Sequence, residues 1–431
     1  MSGWLLPIVA VLLIGYGAVS ARLQTSVVTE AMVFVVAGLL LGSWALDVID
    51  VGPANTVVLL LAEVTLAVVL FTDAVRVKLP RLRHEAAVPL RLLGIGLPLT
   101  IVAGTLVGLL VFPDLNVWTA AALATILAPT DAALGLPVIS NRRLPSRIRQ
   151  GLNVESGLND GVCVPLLIIF LTLAVAEEDA AHTGPLRILL EEIGFGAVGG
   201  VVAGVLGAWV LRHAVARGWA TPSWQQIVPV ATAILAYTVA TALGGSGFIA
   251  AFVAGIAFGV VGKGDAESST GFAEQSGQLL NALTFLMFGA VLLGPALGRL
   301  DWAVVAYAVL SLTVVRMVPV ALGMIGMRMR RTTVAFLGWF GPRGLASIVF
   351  VLLVVDESSL AESVLLQTVV SVTVGLSVFA HGLSAYPLAH AYASWFAGQS
   401  KDHPTMTENT KVSAQRHRAE RVGATGAEET S

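Results

Sequence analysis

The sequence predicts an all-α, polytopic membrane protein of about thirteen transmembrane helices, and three observations carry that expectation. Of 431 residues, 56% are hydrophobic and 12% charged, with a mean hydropathy of +0.85, against about 25% charged residues in a soluble domain. The apolar residues fall in continuous runs near helix length and do not alternate, which argues against a β-barrel. Of the 52 charged residues, 41 lie outside those runs.

A bilayer core of about 30 Å takes about 20 mostly apolar residues per helix. The runs lie at approximately 3–20, 30–46, 54–75, 90–112, 116–138, 152–176, 188–211, 225–243, 247–262, 278–297, 302–326, 333–355 and 363–390. No basic residue precedes the first apolar core, so it reads as a span and not as a cleaved signal peptide. Only "GGSG" separates the eighth and ninth runs, which leaves twelve spans as an alternative.

Loop charge tests the count, because Lys and Arg collect on the cytoplasmic side. Loops after odd-numbered runs, with the tail, hold 20 of the 25 basic residues, and loops after even-numbered runs hold 2. Thirteen spans with the N-terminus outside and the C-terminus in the cytoplasm follow. Residues 397–431 are polar, mixed in charge and without apolar period, and read as a disordered cytoplasmic tail. The net charge of -2 gives no electrostatic reason to expect a nucleic acid partner, and the single cysteine, Cys163, excludes an internal disulfide.

An offset of seven spans relates "LAPTDAALG" (127–135) to "FGPRGLAS" (340–347): each has a proline, a charge within two residues, then small residues. An odd offset reverses direction across the membrane and so makes an inverted repeat, and broken helices at matching positions mark the midplane site in such folds. Pro129 and Pro342 each remove a backbone donor and clash with the preceding turn, so both segments are expected to unwind.

Ionisable residues inside a span stay only when paired or functional. In "NVESGLNDGVCVP" (153–165), Glu155 and Asn159 are four apart, as are Ser156 and Asp160, so both pairs project from one side of a helix. Asp160 lies about ten residues in, or about 15 Å at 1.5 Å per residue, and Asp131 reaches similar depth on the preceding span. Arg316 in "VVRMVP" needs an anion; Glu155 is the first candidate and Asp131 the second. Arg343 suits the carbonyl end of a broken helix or a snorkelling site. Asp73, in "LLLAEVTLAVVLFTDAVRV", either pairs with Arg76 three residues on or serves a cation entrance, while Glu63 has no evident partner. His381 and His390 read as helix-interface residues, and His84 as a pH-sensing candidate in a basic loop.

Together these segments resemble the monovalent cation:proton antiporter superfamily, on its bacterial-type Na+/H+ exchanger branch, over roughly residues 5–390. The resemblance implies a transporter and not an enzyme, with no cofactor: a membrane domain over 1–396 with inverted six-helix repeats at about 1–176 and 225–390, two crossed broken helices, and a scaffold that mediates homodimerisation. It implies that Asp160 alternately holds the cation and the proton; Na+ is the metal ion expected there, with Li+ a second candidate, and the family does not fix Na+ against K+ or Li+. Thr130, Asp131, Ser156, Asn159 and Asp73 would complete the ion site, and Glu155 and Arg316 a buried ion pair. Pro129, Pro342 and Arg343 would belong to the broken helices. Asparagine at 159, where the electrogenic branch has aspartate, implies electroneutral one-for-one exchange across the plasma membrane of a bacterium. The alternatives are K+/H+ exchange on the same scaffold and, from another class, an intramembrane aspartyl protease using Asp131 and Asp160; for the latter, Leu158 stands where glycine is expected.

Overall fold

A computed structural model describes residues 4–23, 26–76, 87–178, 185–356, 360–402 and 408. His84, its basic loop and most of the C-terminal tail lie outside the described residues. The described chain is helical throughout: α1 (Leu5–Leu23), α2 (Glu30–Leu41), α3 (Thr56–Val75), α4 (Ala87–Val111), α5a (Val117–Ile126) and α5b (Leu136–Ile139), α6 (Ser146–Glu178), α7 (Pro185–Ala216), α8 (Pro222–Ala242), α9 (Gly247–Ser268), α10 (Gly271–Leu297), α11 (Trp302–Gly323), α12a (Arg331–Trp339) and α12b (Leu345–Asp356), and α13 (Ser363–Asp402). Nine of these are long and apolar enough to cross a bilayer, and α2, α5a, α9 and α12b contain shorter apolar helices. Each of the thirteen apolar runs contains one of these helices or a broken pair. The large exposed side chains of α1, α7 and α8 are apolar, among them Leu6, Ile14, Val198, Leu206, Trp224 and Leu235, as a multi-pass membrane protein requires.

The eighth and ninth runs are separate helices: Gly244 takes φ 79° in the turn between them, a backbone region that suits glycine. Side-chain caps start several helices where the sequence supplies Thr29, Asn55, Asn116 and Asp301. The last helix runs past the expected boundary near 390 to Asp402, and Glu408, inside the stretch expected to be disordered, is 2% exposed.

Packing follows the seven-helix offset. Gly38 and Gly42 of α2 lie so close to the α10 backbone that a Cβ would fall 2.0 Å from the Leu286 carbonyl oxygen and 2.7 Å from Ala290 Cα. The offset carries α2 to α9 and α3 to α10, and correspondingly Gly255 and Gly259 of α9 lie against the Phe71 and Val75 backbones of α3. Glycine permits these approaches, and van der Waals packing then holds helices that lipid does not drive together.

Candidate ion-binding site

Both proline-containing segments are unwound, and they meet. Helix α5a ends at Ile126 and α12a at Trp339, and residues 127–135 and 340–344 carry the breaks. The Asp131 amide donates to the Pro342 carbonyl at 2.8 Å. Each break then supplies what the other's helix ends lack. Asp131 accepts from the Leu345 amide through Oδ2 (3.1 Å) and from the Ala133 amide through Oδ1 (2.8 Å), which puts a carboxylate at the start of α12b where the helix dipole favours it. Arg343 donates through Nη1 to the carbonyls of Ala128 (2.6 Å) and Pro129 (3.3 Å), and Ser347 Oγ donates to that of Ile126 (2.6 Å). Carbonyls orphaned at the end of α5a are thus met by a buried cation and a hydroxyl, so Arg343 caps and does not snorkel.

Two glycines make the crossing close, a role that motif matching missed although "GPRG" displays them. A Cβ on Gly344 would fall 2.1 Å from Asp131 Oδ2, and one on Gly341 would fall 2.4 Å from Arg316 Nε. Arg316 pairs with Glu155, the first of its two candidates: Nη2 donates to Oε2 at 2.8 Å, and Nη1 lies 2.5 Å from Oε1 without hydrogen-bond alignment. Their side chains are 1% and 2% exposed.

Helix α6 brings the remaining residues to the α5 break. Ser156 Oγ donates to the Thr130 carbonyl (2.6 Å), and Asn159 Nδ2 donates to Thr130 Oγ1 (2.7 Å). Asp160 Oδ1 and Asn159 Oδ1 are buried and accept no hydrogen bond from any described residue. Asp131 and Asp73 both act electrostatically on Asp160, and Asp73 packs on Gly157, one turn before it, where a Cβ would sit 3.5 Å from the Asp73 Cβ. Gly161 is much tighter, and a Cβ there would fall 2.5 Å from the Phe252 ring of α9. Beside the crossing, a narrow cavity is lined by Thr130, Asp131, Ser156 and Pro342 among others. A second narrow cavity, between α3, α10 and α12b, is lined mainly by apolar groups, including Val58, Leu61, Val291, Ile348 and Leu352.

Expected pairings near Asp73 change. Arg76 forms an ion pair with Glu274 of α10, whose Oε1 also accepts from Thr270 Oγ1. Arg76 thus has a partner on another helix that the sequence spacing does not reveal. Glu63 has a partner after all, the Tyr237 hydroxyl of α8. His381, 1% exposed, is more than an interface residue: Nε2 lies 2.9 Å from the Trp339 carbonyl at the end of α12a, and Nδ1 lies 3.2 Å from Ser377 Oγ, which accepts from the Arg343 amide at 2.7 Å. His390 Nδ1 lies 2.9 Å from the Tyr386 carbonyl, one turn back on α13.

The sequence profile of the family described as "sodium/hydrogen exchanger, transmembrane" matches residues 8–391. The chain belongs to the sodium/hydrogen exchanger family. Relatives include a Na(+)/H(+) antiporter of Schizosaccharomyces pombe, 26% identical over 310 residues that make up 64% of this chain and 65% of the relative. Another is the K(+)/H(+) antiporter NhaP of Alkalimonas amylolytica, 27% identical over 325 residues, 74% of this chain and 55% of the relative. The chain therefore spans less than two thirds of either relative's length. The fold matches that of the sodium proton antiporter MjNhaP1 from Methanocaldococcus jannaschii, with a TM-score of 0.70, 18% identity, and coverage of 90% of this chain and 98% of that one.

Proposed function

We propose that this protein exchanges Na+, with Li+ as a second substrate, for H+ across the plasma membrane, one for one, with Asp160 as the shared site. The observation that carries the reading is the Asp160 carboxylate oxygen, buried without a hydrogen-bond donor beside the Thr130, Ser156 and Asn159 oxygens. Hard oxygen ligands suit an alkali cation, and a buried carboxylate left without a donor requires a proton or a cation. Charge counting supports electroneutrality. Glu155 cancels Arg316, Asp131 and Arg343 occupy complementary helix ends, and Asp160 supplies the charge that H+ or the cation neutralises, with Asp73 a further carboxylate acting on it. Asn159 adds none. A neutral site crosses a low-dielectric barrier at far lower cost than a bare anion, so movement occurs with either ion bound, and exchange follows without ATP.

Lys and Arg gather in the loops expected on the cytoplasmic side, which supports an N-terminus outside and a C-terminus in the cytoplasm, and the resemblance to the antiporter branch supports a homodimer. Carboxylate dyad chemistry is disfavoured because both Asp131 oxygens are committed to backbone amides. K+/H+ exchange is the second reading, favoured by the K(+)/H(+) name of one relative. The test is recovery of a trapped pH dye in proteoliposomes on adding Na+, Li+ or K+, with and without a potassium ionophore. A Na+ response independent of the ionophore supports the proposal; a response to K+ alone replaces the cation, and no response to any of the three overturns antiport.

A further inference from the structure

We infer that Glu408, from the segment that follows the last helix, is a positioning residue for the ion site: it caps α12a at the face with the basic loops and, through that half-helix, holds the crossing in place. The inference rests on the exchange function proposed above.

Helix α12a does not cap itself. Arg330 stands at its N-cap, offers no acceptor side chain and makes no side-chain cap bond, whereas Ser, Thr, Asp or Asn would. The first-turn donors nevertheless have a partner. Glu408 Oε1 accepts from the Arg330 amide at 2.8 Å and from Thr333 Oγ1 at 2.9 Å. Thr333 is fully buried, and its hydroxyl lies 3.0 Å from that of Tyr392 on α13. A hydroxyl has one proton to give, so Tyr392 donates to Thr333 and Thr333 to Glu408. The Tyr392 ring stacks on Phe336, with centroids 4.2 Å apart, and Phe336 packs on Phe340 at 4.6 Å. Glu408 itself is 2% exposed. It also acts electrostatically on Arg147, in the first turn of the helix that carries Asp160. A carboxylate 78 residues beyond Arg330 therefore completes a helix N-terminus and adds the charge that the dipole favours there.

The far end of that helix is the crossing. Nine residues at 1.5 Å make α12a a rod about 13.5 Å long, whose last residue adjoins the 340–344 break. A frayed first turn lets the rod shift, and with it the Arg343 and Leu345 bonds that order the α5 break around Thr130. Cation affinity is the quantity that this shift reads out.

The experiment compares full-length wild type with Glu408→Ala, Glu408→Gln, a chain ending at Asp402 and a chain ending at Gln415. Amide hydrogen exchange over 330–334 and the cation KM and maximal rate of exchange are measured for each. Glu408→Ala and the chain ending at Asp402 should lose protection at 330–334 and raise KM roughly fivefold, with a smaller change in maximal rate. Glu408→Gln, which keeps an acceptor and loses the charge, should fall between them and wild type. The chain ending at Gln415, which keeps Glu408, should match wild type in both readouts. Unchanged protection in Glu408→Ala overturns the cap, and lost protection with unchanged KM overturns the positioning role. If wild type exchanges no cation, the proposed function fails instead, while the exchange of the 330–334 amides still judges the cap.

Discussion

Helices α5 and α6 and helices α12 and α13 occupy equivalent places in the two repeats, yet their hydrogen bonds end differently. In each pair a broken span is tied by a serine from the unbroken one: Ser156 to the Thr130 carbonyl, and Ser377 to the Arg343 amide. Four residues beyond each serine stands a titratable group. In α13 it is His381, whose Nδ1 lies 3.2 Å from Ser377 Oγ and 3.0 Å from the Ser377 carbonyl and whose Nε2 lies 2.9 Å from the Trp339 carbonyl. In α6 it is Asp160, whose Oδ1 has no donor. In the α12 half the titratable ring is partnered across the break and serves as a lock, while Arg343 Nε and Nη2 stay buried without a hydrogen-bond partner among the described residues. In the α6 half it is the carboxylate oxygen that has no donor. The two crossings thus differ in which sign of group is left unsatisfied, a cation in the first and the Asp160 anion in the second.

The largest effect should come from removing that unsatisfied charge. Asp160→Asn should abolish cation-dependent proton flux, at least about 100-fold on the scale by which loss of a charged site residue is felt, while detergent melting stays near wild type. A mutant that keeps wild-type exchange in proteoliposomes would end the assignment.

The buried pair behind the site should respond in the reverse order, with stability first. Removing one partner of a buried ion pair costs about 3–5 kcal/mol, whereas replacing both with apolar residues is often near neutral. Arg316→Ala should therefore lower the melting temperature sharply, and Glu155→Leu with Arg316→Met should recover most of the loss. If the single change left melting unaltered, the pair would not be what holds α6 to α11.

The α12 lock was only partly legible in the sequence. Proline beside a charge announced both breaks, because each residue type is costly in a span unless backbone opens or charge is answered. Arg316 and Glu155 could be paired from charge alone. Nothing local marked the partner of Arg76, because Glu274 stands on a distant helix, nor the burial of Glu408 in a stretch whose composition reads as solvated. Composition averages over a segment, and one carboxylate at a helix end leaves no trace in it. Asp131 was read as a site residue from its depth. Its two backbone bonds make it first of all the cap by which the α5 break holds the α12 half.

Gly344→Ala tests that hold. The added Cβ would sit 2.1 Å from Asp131 Oδ2, and the carboxylate cannot swing aside without giving up the Leu345 amide. Overpacking of this kind costs about 1–3 kcal/mol. Lower melting and slower exchange should appear together, and an alanine variant equal to wild type in both would show that α12b does not depend on the Asp131 cap.

The finest distinction separates the two serines. Ser377→Ala leaves the buried Arg343 amide without its acceptor, a loss of about 1–3 kcal/mol, and it touches no group facing the cavity. Ser156→Ala removes a donor from the Thr130 carbonyl, which under the proposed function lies beside the cation and is met by the ion itself, so the net cost to stability is about 1 kcal/mol. The two substitutions are the same chemically and differ only in which crossing they open. Ser377→Ala should therefore lower melting and leave cation KM unchanged, and Ser156→Ala should change melting less and shift KM by a few-fold. If both moved melting and KM in the same proportion, the division into a lock and a binding half would fail, because each serine would then serve a single undivided crossing.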